Sequence, residues 1–358
     1  MAVLLLLAAF SCGLFEPEPP ELVGCLPSYA AVEQVTAAQL ADSGVLNAAL
    51  LVRVDGQTVC RLFFGHYGPT TEVATASAAK WLSAGAILTV VDRGGLQLDT
   101  RAVDLFPSAP PLTADITLSQ LLSHTSGLLW FSRCMGRPGF TLQECAETIL
   151  EGDVHFAPGT GFYYAGPPFT VAGAMAERAS GQSWAELFRT RIAQPLGMSH
   201  TSYGDSPNPA LSEGEVVSTV DDYGRFAQMI LDNGVVTRRR VLSEQAIRDM
   251  RRNWSTGVPI VYSPRGEVPY GLGVWLDAVD ATGLGTVISS PGIGGFVPLV
   301  DFNRRMVFVF ETEEEVGRIW PVVTAILAAV RAAVDQQGLT RSPDMPPEAS
   351  GSYRAPLR

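Results

Sequence analysis

Lysine is nearly missing from this chain. Of its 25 basic residues, 24 are arginine and one, Lys80, is lysine. Arg keeps its proton at any usable pH, whereas a desolvated Lys can become a neutral amine. Lys80 is therefore the one basic side chain of that kind suited to proton transfer. Other absences narrow the function further. No basic run occurs and the net charge is −11, which argues against nucleic acid or anionic membrane as partner. There are four His, no Cys-x-x-Cys and no His-Glu-x-x-His, so neither a metal site nor a cofactor is expected. No Gly-x-Ser-x-Gly elbow is present, which counts against an α/β-hydrolase. No internal repeat is visible. With 17% charged and 47% apolar residues over 358 positions, the composition is that of a soluble globular protein. The length suits one large domain or two lobes around a sizeable core.

The N-terminal run from Met1 to Cys12 is apolar and too short to span a bilayer, so it reads as a secretion signal. Ser11-Cys12 resembles the lipid-attachment site of bacterial lipoproteins, and Glu16-Pro-Glu-Pro-Pro20 reads as an extended tether. Residues 1–24 are thus expected to be leader and tether, with the protein exported to the periplasm or cell envelope. Membrane attachment is expected only through a lipid on Cys12. Were Cys12 lipidated, four cysteines would remain, an even number that permits two disulfides in an exported protein. The local choice is Cys134–Cys145 with Cys25–Cys60.

Along the chain, residues 30–43 carry an amphipathic helical pattern. Residues 48–54 and 57–65 are β-rich runs joined by Asp55-Gly56, a tight-hairpin signal. The uncharged run Trp81 to Val91 stops at Asp92-Arg93-Gly94-Gly95 and predicts a helix apolar on all sides, hence buried. Helices are expected near 117–123, 141–151, 168–180, 183–193, 220–233 and 243–252. Thr141-Leu-Gln-Glu144 is a capping box, and Ser243-Glu-Gln-Ala246 marks another start. Short strands then follow at 270–276, 285–289, 295–301 and 306–312, before a last helix at 320–334. Strands at both ends of the chain imply one sheet built from two distant segments. A domain over 25–338 is expected, with an α/β part from 25–76 and 268–338, helices from about 95 to 267, and a loose tail at 339–358.

Ser77 stands three residues before Lys80, so on a helix the hydroxyl and the amine share one face. That is the Ser–Lys form of an activated nucleophile. Placed on the first turn of the helix, Ser77 would have free N–H groups and the positive dipole end beside it.

Several stretches together resemble the class C type of serine β-lactamases, the related penicillin-binding proteins, and their esterase and peptidase relatives. They are Thr75-Ala-Ser77-Ala-Ala-Lys80, Asp92-Arg-Gly-Gly-Leu-Gln-Leu-Asp99, Leu121-Leu-Ser-His124-Thr-Ser-Gly-Leu128, Pro158-Gly-Thr-Gly-Phe-Tyr-Tyr164, Gln194-Pro-Leu-Gly-Met198, and Val217-Ser-Thr219 leading to Asp222 and Phe226. The likeness covers residues 30 to 335. It implies an α+β fold in which an antiparallel sheet is flanked by N- and C-terminal helices, with an inserted helical lobe and a cleft between. It also implies Ser77 as acylated nucleophile, Lys80 as its partner, and Tyr164 as the residue that takes the serine proton and helps activate water. His124 belongs to a structural turn in this pattern, and Asp221-Asp222 read as helix N-terminal acids.

Two positions depart from the pattern. Gly166 stands where relatives carry Asn, and Ser290-Pro291-Gly292 stands where they carry Lys or His, any residue, then Gly. The backbone N–H of Ile293 would still join that of Ser77 as an oxyanion donor, while the group that grips a substrate carboxylate is absent. The expectation is a serine hydrolase acting on a small ester, amide or peptide-like substrate, more esterase- or amidase-like than an efficient β-lactamase. The alternatives are a β-lactamase or D-peptidase, and a non-catalytic envelope scaffold on the same fold.

Overall fold

A computed structural model describes residues 22–212 and 216–338. Most of the expected leader and tether, Cys12 included, and the expected tail lie outside the described residues. The centre is a seven-stranded sheet in the spatial order Gly24–Cys25, Gln57–Phe64, Ala48–Val54, Met306–Glu311, Val297–Asp301, Gly285–Ser289, Trp275–Val279. Every neighbouring pair in it is antiparallel. The two ends of the chain meet where Met306–Glu311 pairs with Ala48–Val54, from Met306 opposite Val54 to Glu311 opposite Ala49. The hairpin turn falls at Asp55-Gly56 with φ of 48° and 81°, the positive pair that a two-residue turn matching strand twist requires.

The period-2 rule sorts the central strands onto two cores. Leu50, Val52, Val54, Met306, Phe308 and Phe310 face the helices Ala30–Ser43 and Val316–Gln336. Ala49, Leu51, Val307 and Val309 face the opposite way, onto Trp81, Tyr223 and Phe226 of the helices Ala79–Asp92 and Val220–Leu231. Each fully buried Leu, Val or Phe side chain contributes about 1.5–3 kcal/mol by leaving water, so both faces are strongly driven. The helix Val316–Gln336 is long and apolar enough to cross a membrane by length and composition. Here its apolar residues, Ile319 and Ile326 among them, pack on the sheet and the first helix.

Between the two strand-forming segments the chain is mostly helical, with Leu118–Leu122, Leu142–Leu150, Pro167–Ser180, Trp184–Phe188, Val220–Leu231 and Glu244–Arg251 matching the expected helices within a few residues. The exception is 183–193, whose second half winds as a π-helix, Arg189–Ala193. The Thr141–Glu144 box forms in both directions, and Ser243 caps Glu244–Arg251 through the Ala246 N–H. Two expectations need correction. The strand expected at 270–276 begins only at Trp275, because Gly271 N–H donates back to the Val274 carbonyl in a turn. Ile260–Tyr262, not foreseen as a strand, pairs in parallel with Phe162–Tyr163. Both disulfides form as expected, Cys25–Cys60 and Cys134–Cys145.

Candidate active site

Ser77 does not sit on the first turn of the α-helix. It occupies a 3-10 turn, Ala76–Ala78, that runs into Ala79–Asp92. The preceding Ala76 has φ of +46°, a left-handed conformation that costs an L-residue roughly 1–3 kcal/mol and needs its surroundings to hold it. Those surroundings are hydrogen bonds on both sides. The Thr75 N–H and hydroxyl both donate to the Val216 carbonyl, at 2.7 and 2.9 Å, and the Tyr223 hydroxyl donates to the Ala78 carbonyl at 2.8 Å.

Lys80 is 2% exposed, within a helix buried along nearly its whole length. Its ammonium donates to Ser77 Oγ at 3.3 Å and to the Ser212 backbone carbonyl at 2.7 Å. It also lies 4.6 Å from the centre of the Tyr164 ring and 6.0 Å from that of Phe169, close enough for cation–π attraction to the first. Burying an ammonium is tolerable only with such partners. Ser212 was invisible in the sequence because it acts through its carbonyl, which every residue has.

Tyr164 is held on three sides. Its N–H donates to the Tyr262 carbonyl at 3.1 Å, its ring stacks on Trp275 at 5.1 Å and 27°, and His124 lies against it at 4.5 Å. Trp275 and Tyr262 come from late in the chain, and neither was singled out beforehand. His124 is buried in a left-handed conformation, φ 60°. Its carbonyl accepts from Tyr163 N–H at 2.9 Å and its Nδ1 from Ala165 N–H at 3.4 Å. Burial, and secondarily the Lys80 charge, hold the imidazole pKa well below its usual value, so the ring is neutral and its remaining proton is on Nε2.

The third motif packs directly behind the nucleophile. A Cβ on Gly292 would stand 2.1 Å from the Thr75 carbonyl oxygen, so only glycine permits this approach. Ser290 is buried, and its hydroxyl is directed at backbone carbonyls, Ser77 at 3.3 Å and Gly273 at 3.4 Å. Ile293 follows, 37% exposed, with its carbonyl accepting from Val316 N–H at 2.7 Å. Gly166 precedes the helix Pro167–Ser180 and accepts the Ser212 hydroxyl at 3.4 Å. The structure thus gathers Ser77, Lys80, Tyr164 and Ser290 by direct contact, with Gly292–Ile293 and Gly166 adjoining. Asp221 and Asp222 lie elsewhere in role: Asp221 pairs with Arg61, and Asp222 with Arg225. Arg265 is close to the motif strand, but it is 4% exposed and bound by Asp277 at 2.7 Å and the Ser289 hydroxyl at 3.1 Å.

The chain is similar to several known proteins. The chain is 32% identical over 250 residues to penicillin-binding protein 4 of Amycolatopsis lactamdurans, covering 58% of this chain and 65% of that protein. It is 37% identical over 142 residues to the esterase EstB of Burkholderia gladioli, covering 34% and 36%. The chain therefore spans about two thirds of the first relative and about a third of the second. A crystal structure of a candidate β-lactamase from Bacteroides dorei superposes with a TM-score of 0.77 at 28% identity, over 86% of this chain and 99% of that one. The Beta-lactamase family profile matches residues 32–324. With that span and this fold, the chain belongs to the β-lactamase family of serine hydrolases.

Proposed function

We propose that this protein is an exported serine hydrolase that forms an acyl-enzyme on Ser77 and prefers neutral esters or amides to β-lactams. The observation that carries the reading is the buried Lys80 ammonium within 3.3 Å of Ser77 Oγ and over the Tyr164 ring. In the proposed cycle Ser77 Oγ attacks the substrate carbonyl and its proton passes to Tyr164, whose phenolate the Lys80 charge favours. The collapsing intermediate expels an alkoxide or amine, which takes that proton. Water then attacks the acyl carbonyl and gives a proton to Tyr164; the acyl–Oγ bond breaks, the carboxylic acid leaves, and Tyr164 returns the proton to Ser77 Oγ. The N–H groups of Ser77 and Ile293 are the proposed oxyanion donors. The two disulfides support export, since such bonds persist in oxidising compartments.

The preference for neutral substrates rests on charge. A β-lactam or peptide C-terminus brings a carboxylate, costly to desolvate without a paired donor. Ser290 spends its hydroxyl on carbonyls, Pro291 has no N–H, Gly166 has no side chain, and Arg265 is committed to Asp277. Beside Ile293 stands the acidic run Glu313-Glu314-Glu315. The test is kcat/KM for an aryl acetate and a chromogenic cephalosporin on one preparation, with fluorophosphonate labelling read by intact mass. Ester hydrolysis should exceed cephalosporin turnover by orders of magnitude, with one adduct, and Ser77→Ala should lose both activity and adduct. Efficient cephalosporin hydrolysis with negligible esterase activity, or labelling retained in Ser77→Ala, would overturn the proposal.

A further inference from the structure

Residues 129–140 leave the site immediately after the His124 turn and play no part in the proposed acyl transfer. Leu129, Trp130 and Phe131 are 37%, 63% and 52% exposed, and the last two rings lean on each other at 5.4 Å. Arg133 and Arg137 follow, both exposed, and among the described residues neither is in an ion pair. The segment is held in place: the Cys134–Cys145 disulfide ties it to the helix Leu142–Leu150, and Asn208 Nδ2 donates to the Cys134 and Arg137 carbonyls at 2.6 and 3.4 Å. A rigid support under two exposed aromatic rings is costly in water unless something covers them. Charge indicates what does. The chain has 36 acidic residues, yet positions 116–143 contain none. One acid from outside that stretch, Asp153, lines a recess of about 80 Å³ beside Leu129 and Phe131, far below the roughly 300 Å³ at which ligand pockets begin.

We propose that residues 129–137 dock the protein onto an anionic lipid surface. Trp130 and Phe131 would enter the boundary between headgroups and acyl chains, where amphipathic and aromatic rings partition. Arg133 and Arg137 would reach the lipid phosphates. The net charge of −11 conceals this segment because the acids lie outside positions 116–143, Asp153 being the one that lines the recess beside it. Docking here brings the Gly166 side of the site toward the interface, because Pro167, next to Gly166, lines the recess with Leu129 and Phe131.

The test uses the full chain carrying Cys12→Ser, so that no lipid can be attached, and vesicles of phosphatidylcholine with and without 30% phosphatidylglycerol. Acyl chains are brominated to quench nearby tryptophan, and residues 1–21 contain none. Anionic vesicles should quench part of the fluorescence, and Trp130→Phe should abolish that part. Replacing both Arg133 and Arg137 by Ser should weaken partitioning about 30-fold, from about fivefold for each charge near an anionic surface. Ser77→Ala should dock as wild type does, which separates this test from that of the acyl-enzyme. No quenching, quenching that persists in Trp130→Phe, or equal partitioning into neutral vesicles would each overturn the proposal. So would a lipid-free dimer dispersed by Trp130→Ala/Phe131→Ala, which would make the occupant a second copy. A tenfold loss of kcat/KM on a soluble ester in that variant would make the rings a substrate seat instead. Unchanged circular dichroism establishes that each variant is folded, and unchanged fluorophosphonate labelling confirms it for every variant that keeps Ser77.

Discussion

Replacing Lys80 by Arg keeps a cation of similar reach but removes the option of a neutral amine, and the planar fork must fit where a compact ammonium now bonds Ser77 Oγ and the Ser212 carbonyl. General acid–base groups contribute about 10²–10⁴ in rate. Lys80→Arg should therefore lose esterase kcat/KM by that order while keeping its circular dichroism. Near-wild-type turnover in a folded variant would end the Ser–Lys mechanism. Ser77 and Lys80 were legible because a chain written almost wholly in arginine had kept one lysine at helical spacing from a serine. The partners that hold them were not. Ser212 acts through a carbonyl, and the left-handed Ala76 is an ordinary alanine in sequence. Ser290 was legible as a missing cation. That its hydroxyl turns back to the Ser77 carbonyl is a fact of packing.

At the scale of elements, the site depends on how closely the segment 290–293 lies against the nucleophile turn. Gly292→Ala would drive a methyl into the Thr75 carbonyl at 2.1 Å, so one segment must move by about an ångström. Displacements of that size can cost about 10²-fold in rate. The expected result is a folded protein whose kcat on the aryl ester falls about 10²-fold with KM little changed. Wild-type kcat would show that the segment 290–293 does not position the oxyanion donors. The elements themselves could be read in advance wherever local signals agreed: the Asp55-Gly56 turn, the Thr141–Glu144 box, the uncharged run after Lys80. They could not where tertiary pairing decides. Ile260–Tyr262 is a strand only because Phe162–Tyr163 offers it an edge. Trp275 starts its strand late because Gly271 and Val274 close a turn before it.

Across the whole molecule, one acid makes stability depend on pH in the less usual direction. Glu311 ends the central strand Met306–Glu311, fully buried on the side of the helix Val220–Leu231. Burial, and then the Asp221 carboxylate, raise its pKa well above the ordinary carboxyl value. The native state thus holds a proton that the unfolded chain releases above about pH 4.3. Where the native state binds more protons, stability falls as pH rises, here from the unfolded pKa up to the raised native one. The limit for one proton is about 1.4 kcal/mol per pH unit. Glu311→Gln keeps the shape and the buried neutral group but has no proton to lose. Relative to wild type, its urea midpoint should therefore rise as pH climbs from about 4.3 until the raised native pKa is passed, read over pH 5 to 8. His124 supplies an internal contrast, since its lowered pKa costs stability only as pH falls below about 6.5, and the Gln variant leaves that acid-side loss in place. A Glu311→Gln midpoint that tracks wild type at a constant offset over this range would mean that the carboxyl is not protonated in the folded chain. The sheet would then have to hold a buried carboxylate beside Asp221, sustained by charges such as the Arg61 already bonded to Asp221.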